Sequence, residues 1–301
     1  MRVAAIDCGT NAVRLLVADV AGDRLTDVAR RMEIVRLGEG VDRTGRLAPE
    51  AIERTRHALM DYAAQIAVSG VARVRMVATS ASRDASNAAD FHAMVRGVLG
   101  VDPEVISGDE EARLSFTGAV RGLSADPPYL VVDIGGGSTE FVTGGSDIAA
   151  ALSVDSGCVR MTERHLRADP PTAVEIAAAE RDITAAVDRA LAAVGGRDAR
   201  TLVGLAGSVT TVTALALGLP EYDADRIHHA RVGYGAVAKV TADLLAATVA
   251  ERRALPVMHP GRADVIGAGA LILRIVMERS GQPAVVASEH DILDGICYGL
   301  A

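Results

Sequence analysis

Runs of apolar residues broken by short polar turns recur along the chain and alternate with segments of helical spacing. "VAAI", "DCGTN" and "RLLVADV" predict two strands around a tight turn, and "TDVARRMEIVRL" predicts a third strand. From Pro49 to Val68 the apolar residues fall at helical spacing, with proline in the opening position where a helix tolerates it. "VRMVATSA" predicts a strand entering a polar loop, "TSASRDASN", and "AADFHAMVRGVLG" predicts a helix closed by Gly100. A short strand, "EVIS", leads into a helix over "GDEEARLSFTGAVRGL". Strand, loop and helix in repeated order favour a parallel or mixed sheet flanked by helices.

After Leu123, "SADPP" has the composition of a linker, and the opening pattern then returns. "YLVVDIGGGSTEFVTGG" is again strand, aspartate, glycine-rich turn, hydroxyls and strand. An alanine-rich helix over Thr172 to Val194, a strand "TLVGLA" running into "GSVTTVTALAL", and further helices follow. The repeat predicts an α/β protein of two similarly folded domains, 1–123 and 124–301, facing each other across a cleft.

Composition narrows the function. A length of 301 residues suits two domains, and a chain 50% hydrophobic but 3% aromatic builds its cores from Ala, Val, Leu and Ile. A net charge of -8 argues against a nucleic-acid partner, which would need a clustered basic surface. Cys8, Cys158 and Cys297 are far apart and form no CxxC pair, so neither a disulfide framework nor a zinc site is expected. Cys8 reads as a strand-end packing residue. No signal segment is read at the N-terminus, and the longest apolar runs, such as "VIGAGALIL", are too short to span a bilayer, so a cytoplasmic protein without a membrane partner is expected. His228-His229 and His290-Asp291 match no metal-ligand spacing.

The candidate chemistry lies at the strand ends. A turn rich in glycine and hydroxyls directs several backbone N–H groups at one place, which binds an anion without a basic side chain. Gly135, Gly136 and Gly137 permit close approach, and Ser138 and Thr139 add hydroxyls. Gly207 and Ser208, in "GLAGSVTT", sit where a helix N-terminus would meet a phosphate. One such turn is an ordinary hairpin; three at strand ends in one chain point to phosphate. Asp7 and Asp133 end their strands, and Glu140 follows the glycine turn. These carboxylates would repel a phosphate unless a cation lay between them, which implies magnesium; capping of a turn is the alternative for a strand-end aspartate. Ser107 stands at capping-box spacing from Glu110, while Glu111 is either a solvated first-turn acid or a catalytic base. Arg83, flanked by Thr79, Ser80 and Asn87, reads as part of an anion-lining loop.

In this order, "DCGTNAVRLLV", "ATSASRDASN", "ISGDEEARLSF", "VVDIGGGSTEFV", "GLAGSVTT" and "RADVIGAGALIL" closely resemble the exopolyphosphatase and guanosine pentaphosphate phosphohydrolase family, over nearly the whole chain. The resemblance implies the actin and sugar-kinase fold, two ribonuclease H-like domains with the active site between them. It implies magnesium-dependent removal of the terminal phosphate from inorganic polyphosphate or, alternatively, of the 5′ γ-phosphate from guanosine pentaphosphate. A phosphate-binding sensor or kinase of the same fold is the more distant alternative. The family's catalytic glutamate falls on Glu111, and its cation-binding or water-orienting carboxylates fall on Asp133 and Glu140. Its anion-binding loops fall on Gly9, Thr10, Asn11 and Arg14, on Arg83, and on Gly135 to Ser138. A homodimer is also implied. The chain departs from the pattern at Ala206-Gly207-Ser208, where the family usually has two glycines and a threonine. Some members carry further helical domains after the point where this sequence stops, and distributive action on long chains is the corresponding expectation.

Overall fold

The computed structural model describes all 301 residues, which divide into two compact units: Met1–Arg121 with Asp291–Ala301, and Gly122–His290. The chain leaves the first unit just ahead of the "SADPP" stretch and rejoins it after His290. A division into 1–123 and 124–301 differs from this chiefly at the C-terminus. Nothing local in the final helix says which sheet it covers.

The first unit opens with an antiparallel meander of β1 (Arg2–Cys8), β2 (Ala12–Ala21) and β3 (Arg24–Ile34). The short α1 (Val41–Thr44) and the long α2 (Pro49–Val68) lead to β4 (Arg73–Ala78), which runs parallel to β1. Then come α3 (Ser80–Asp84), α4 (Ala88–Leu99), β5 (Glu104–Val105) and α5 (Gly108–Val120). The stretch read as a polar loop therefore contains a turn of helix. Sheet order is β3-β2-β1-β4-β5. Alternation along β1 sends Ala4, Ile6 and Cys8 into a core with α2 and α4, while Val3 and Ala5 face the opposite side.

The second unit repeats the plan. A meander of β6 (Tyr129–Ile134), β7 (Thr139–Gly144) and β8 (Ile148–Val154) is followed by α6 (Cys158–His165) and α7 (Ala173–Val194). Next, β9 (Thr201–Leu205) pairs parallel to β6 and passes directly into α8 (Ala206–Ala216). After α9 (Ala224–Ile227) and β10 (Arg231–Gly233), the chain forms α10 (Tyr234–Ala246), α11 (Val249–Arg253), α12 (Ile266–Ser280) and β11 (Ala284–Ala287). Sheet order is β10-β11-β9-β6-β7-β8. Read from the meander edge, β8-β7-β6-β9-β11 has the order and strand directions of β3-β2-β1-β4-β5. This is the ribonuclease H-like arrangement of actin-like folds, present twice.

The chain ends in α13 (Ile292–Leu300), which returns to the first sheet. Its Ile292, Leu293, Ile296 and Cys297 cover Val3, Ala5, Leu16 and Ala18, the face of β1 and β2 turned away from α2 and α4. No helix is long and apolar enough to cross a membrane.

Candidate active site

The two meanders place equivalent residues in equivalent register. Asp133 pairs with Glu140 across β6 and β7, and Asp7 pairs with Arg14 across β1 and β2. Each hairpin is closed by the same turn: Gly135 N–H donates to Ser138 O at 3.1 Å, and Gly9 N–H donates to Ala12 O at 2.9 Å.

What binds the carbonyls of these turns decides where their amides point. The amides of Cys158 and Val159, at the start of α6, donate to Gly135 O and Gly136 O, each at 2.9 Å. Arg160 adds its own amide to Gly136 O at 3.1 Å and its Nε to Gly137 O at 2.7 Å. In a trans peptide the carbonyl and the following N–H point in opposite directions. The amides of Gly136, Gly137 and Ser138 are therefore directed away from α6, as an anion nest requires. Gly157 lets α6 come this close, since a Cβ there would lie 2.3 Å from Gly136 O. The first turn is held likewise. Gly38 N–H donates to Thr10 O at 2.8 Å and Arg36 N–H to Asn11 O at 2.8 Å, which turns the Asn11 and Ala12 amides the other way. The Thr10 hydroxyl is hydrogen-bonded to Ser80 at the start of α3, at 2.8 Å.

The carboxylates are buried. Asp133 and Glu140 keep 7% and 1% of their surface exposed, and the Ser153 hydroxyl donates to Glu140 Oε1 at 2.7 Å. Cross-strand partners lie on one face with Cβ atoms about 5 Å apart, so two carboxylates there repel unless a cation or proton compensates. In the sister hairpin the same register position holds Arg14, which donates to Asp7 Oδ2 through Nε at 3.1 Å and NH2 at 2.6 Å. Burial pushes the Asp7 carboxyl above its usual range, Arg14 opposing the shift and Asp291 adding to it. Asp7 Oδ1 is buried with no hydrogen-bond partner in the protein. An orphaned carboxylate oxygen and an all-oxygen donor set fit a hard divalent cation. Within the structure no three His, Cys, Asp or Glu side chains converge on one point. Magnesium needs no such group, because it binds through one or two carboxylates together with phosphate and water oxygens.

Glu111 lies in the first turn of α5 with 9% of its surface exposed, so the solvated-acid alternative does not describe it. Ser107 caps the helix by accepting the Glu110 amide at 3.2 Å, but the reciprocal half of a capping box is replaced: the Glu110 carboxylate accepts from Arg75 at 2.7 Å. Arg83 reaches α5 from α3, donating to Ile106 O at 2.9 Å and standing 3.5 Å from Glu111 Oε2. It faces the candidate base. Asn87 has a structural task, its side chain bridging the amide and carbonyl of Leu47 at 2.8 and 3.1 Å.

At the third turn, Ala206 opens α8 with φ of 65°, a left-handed conformation that an L side chain adopts at a cost. The Arg262 guanidinium lies over Gly207, where a Cβ would be 2.1 Å from one of its nitrogens, and Arg262 NH1 donates to Thr211 at 2.9 Å. Ser208 is buried, with its hydroxyl against Gly269 of α12 and hydrogen-bonded to Cys158.

Residues 16–301 match the Ppx/GppA phosphatase family. The chain belongs to that family. It is 52% identical over 314 residues to exopolyphosphatase 2 of Mycobacterium tuberculosis, covering 100% of this chain and 98% of that one. Among solved structures it is similar to an exopolyphosphatase-like protein (TM-score 0.97, 44% identity, 100% of this chain and 97% of the other). It is likewise similar to the Aquifex aeolicus family member (TM-score 0.84, 32% identity, 100% and 97% covered).

Several residues around these Ppx/GppA motifs escape a reading of the sequence alone. Gly157 and Arg160 clamp the glycine turn, and the glycine before a helix start in "SGCVRM" was the available signal. Arg262 and Asp291 gave none, because their partners are distant in sequence. The family resemblance places Arg14 among the anion-binding residues; in the structure its guanidinium bonds Asp7 and Asp291.

Proposed function

We propose that the chain is a cytoplasmic exopolyphosphatase, hydrolysing the terminal phosphoanhydride bond of inorganic polyphosphate to release orthophosphate. The observation that carries this reading is the Gly135–Ser138 turn, whose carbonyls are consumed by α6 and Arg160 while its amides face away. Full-length similarity to a protein named exopolyphosphatase 2 supports the choice of substrate.

In this reading Glu111 is the general base. It accepts the proton of the attacking water while Arg83, 3.5 Å away, keeps the carboxylate oriented. The amides of Gly136, Gly137 and Ser138 hold phosphate oxygens and stabilise charge that grows during transfer, and those of Asn11 and Ala12 form a like nest in the first unit. The carboxylates suited to magnesium are Asp133 and Glu140 in the second unit and Asp7 in the first, and the ion when bound neutralises charge on the phosphate. Phosphate release from polyphosphate, guanosine pentaphosphate and ATP, measured side by side, tests the proposal. Release from polyphosphate is expected to dominate. Release from guanosine pentaphosphate alone would shift the substrate, and binding of all three without release would make the chain a sensor.

A further inference from the structure

Two carboxylates divide the Arg14 guanidinium between them. Nε and NH2 serve Asp7 Oδ2, while NH1 is bonded to Oδ2 of Asp291, the residue that opens α13. The other Asp291 oxygen has a separate task, accepting the Leu293 amide at 3.0 Å as the helix cap. Both aspartates are buried, with 4% and 5% of their surfaces exposed. Asp291 is also fixed through its backbone. A Cβ on Gly118 of α5 would lie 1.9 Å from Asp291 O, and one on Gly295 of α13 would lie 2.0 Å from Leu114 O, so α13 and α5 meet backbone to backbone.

Charge completes the argument. Asp7 with Arg14 alone would be a neutral pair, a poor donor for a cation. With Asp291 the three groups carry a net negative charge. The fork is also held so that it covers Asp7 Oδ2 and leaves Oδ1 without a partner.

We propose that Asp291 is a positioning residue for the phosphate site: it fixes Arg14 on one oxygen of Asp7 and offsets the guanidinium charge, which leaves the other oxygen an anionic donor for a divalent cation. This rests on the assignment of Asp7 to the magnesium-binding carboxylates. Asp291 touches neither substrate nor metal; it acts through Arg14, as groups behind a metal ligand set its orientation and basicity.

The test compares Asp291→Asn with Asp294→Asn. Asparagine keeps an oxygen for the Leu293 amide but removes the charge facing Arg14. Asp294 is the buried aspartate of the same capping box: its Oδ2 accepts the Asp291 amide at 3.0 Å and its Oδ1 accepts from Arg30 at 2.8 Å. Two readouts are taken: the rise in unfolding temperature produced by magnesium chloride alone, and the magnesium concentration for half-maximal phosphate release from polyphosphate. Asp291→Asn is expected to need about tenfold more magnesium in both, the usual weight of a residue behind a metal ligand. Asp294→Asn keeps an oxygen for the Asp291 amide, so although loss of its buried pair with Arg30 lowers the unfolding temperature itself, both magnesium readouts should stay within about twofold of wild type. In an Arg14→Gln background the Asp291 substitution should have no further effect. Equal effects of the two asparagine variants, an undiminished effect in the Arg14→Gln background, or a wild-type protein indifferent to magnesium would each overturn the proposal. A wild type that responds to magnesium but releases no phosphate would overturn the hydrolase reading, and the unfolding measurements would still decide the role of Asp291.

Discussion

Asp133 and Glu140 are cross-strand partners, both buried, at the register position that Asp7 and Arg14 occupy in the other half of the molecule. One hairpin sets carboxylate against carboxylate and the other sets carboxylate against guanidinium, so removing one charge relieves repulsion in the first and breaks an ion pair in the second. Asp133→Asn should therefore raise the magnesium concentration needed for half-maximal activity several-fold, and should cost little or no stability in its absence. A magnesium titration that superimposes on wild type would return Asp133 to a turn-capping role.

Glu111→Gln keeps size and hydrogen bonding but cannot take a proton from water. Turnover is expected to fall by about 10² or more while substrate binding is retained. Single-turnover rates together with equilibrium binding of polyphosphate separate the two effects. Near-normal turnover would remove Glu111 from the base role.

Gly157→Ala places a methyl group against Gly136 O and against the backbone of Gly137. Overpacking of this kind costs about 1–3 kcal/mol, and here the yielding element is the phosphate turn itself. Activity should fall further than stability alone accounts for. Calorimetry and phosphate release on one preparation check this, and an alanine variant with wild-type turnover would mean that the clamp is dispensable.

Ala206 offers the opposite test. At φ of 65° its side chain is strained, and glycine removes that strain. A gain of about 0.5–1 kcal/mol is expected, the left-handed cost for alanine of about 1–2 kcal/mol less the extra freedom glycine loses on folding. Chemical denaturation of Ala206→Gly measures it; a loss of stability would show that the alanine methyl contributes packing that outweighs its strain.

The three cysteines are free and buried. Burial pushes the Cys8 and Cys158 thiols upward, Asp7 adding to the shift at Cys8, and pushes Cys297 up to about 12. A raised thiol pKa leaves the unreactive protonated form in place at neutral and mildly alkaline pH. Alkylation at pH 8 is expected to proceed only after unfolding, and fast labelling of Cys8 in the native protein would contradict a packing role.

How much of this was legible in the sequence depended on the distance over which each contact acts. The helix from Pro49 to Val68 and the glycine turn after Asp133 are local events, written in apolar spacing and in residue types that suit them. The short turn of α3 was hidden in "TSASRDASN", because hydroxyls and alanines have no apolar period to report. Strand β8 was hidden as well, being mostly half-exposed. The partner of Arg14 is 277 positions away in Asp291, and periodicity names faces without naming what will lie against them. For Glu111, spacing alone favoured a solvated first-turn acid over a base; it was its burial in the fold that removed the first.

The return of α13 to the first sheet also constrains the order in which the chain can be assembled. During synthesis β1 to β5 emerge early, yet the face bearing Val3, Ala5, Leu16 and Ala18 stays uncovered until Ile292, Leu293, Ile296 and Cys297 have left the ribosome. The second unit, by contrast, is one uninterrupted stretch that can close as soon as it is made. The later-synthesised half should thus finish first. Nascent chains ending at residue 290, carried clear of the ribosome on a flexible linker and challenged with protease, would show it as a resistant second unit joined to a susceptible first, and resistance of both would mean that the early sheet protects itself without its final helix.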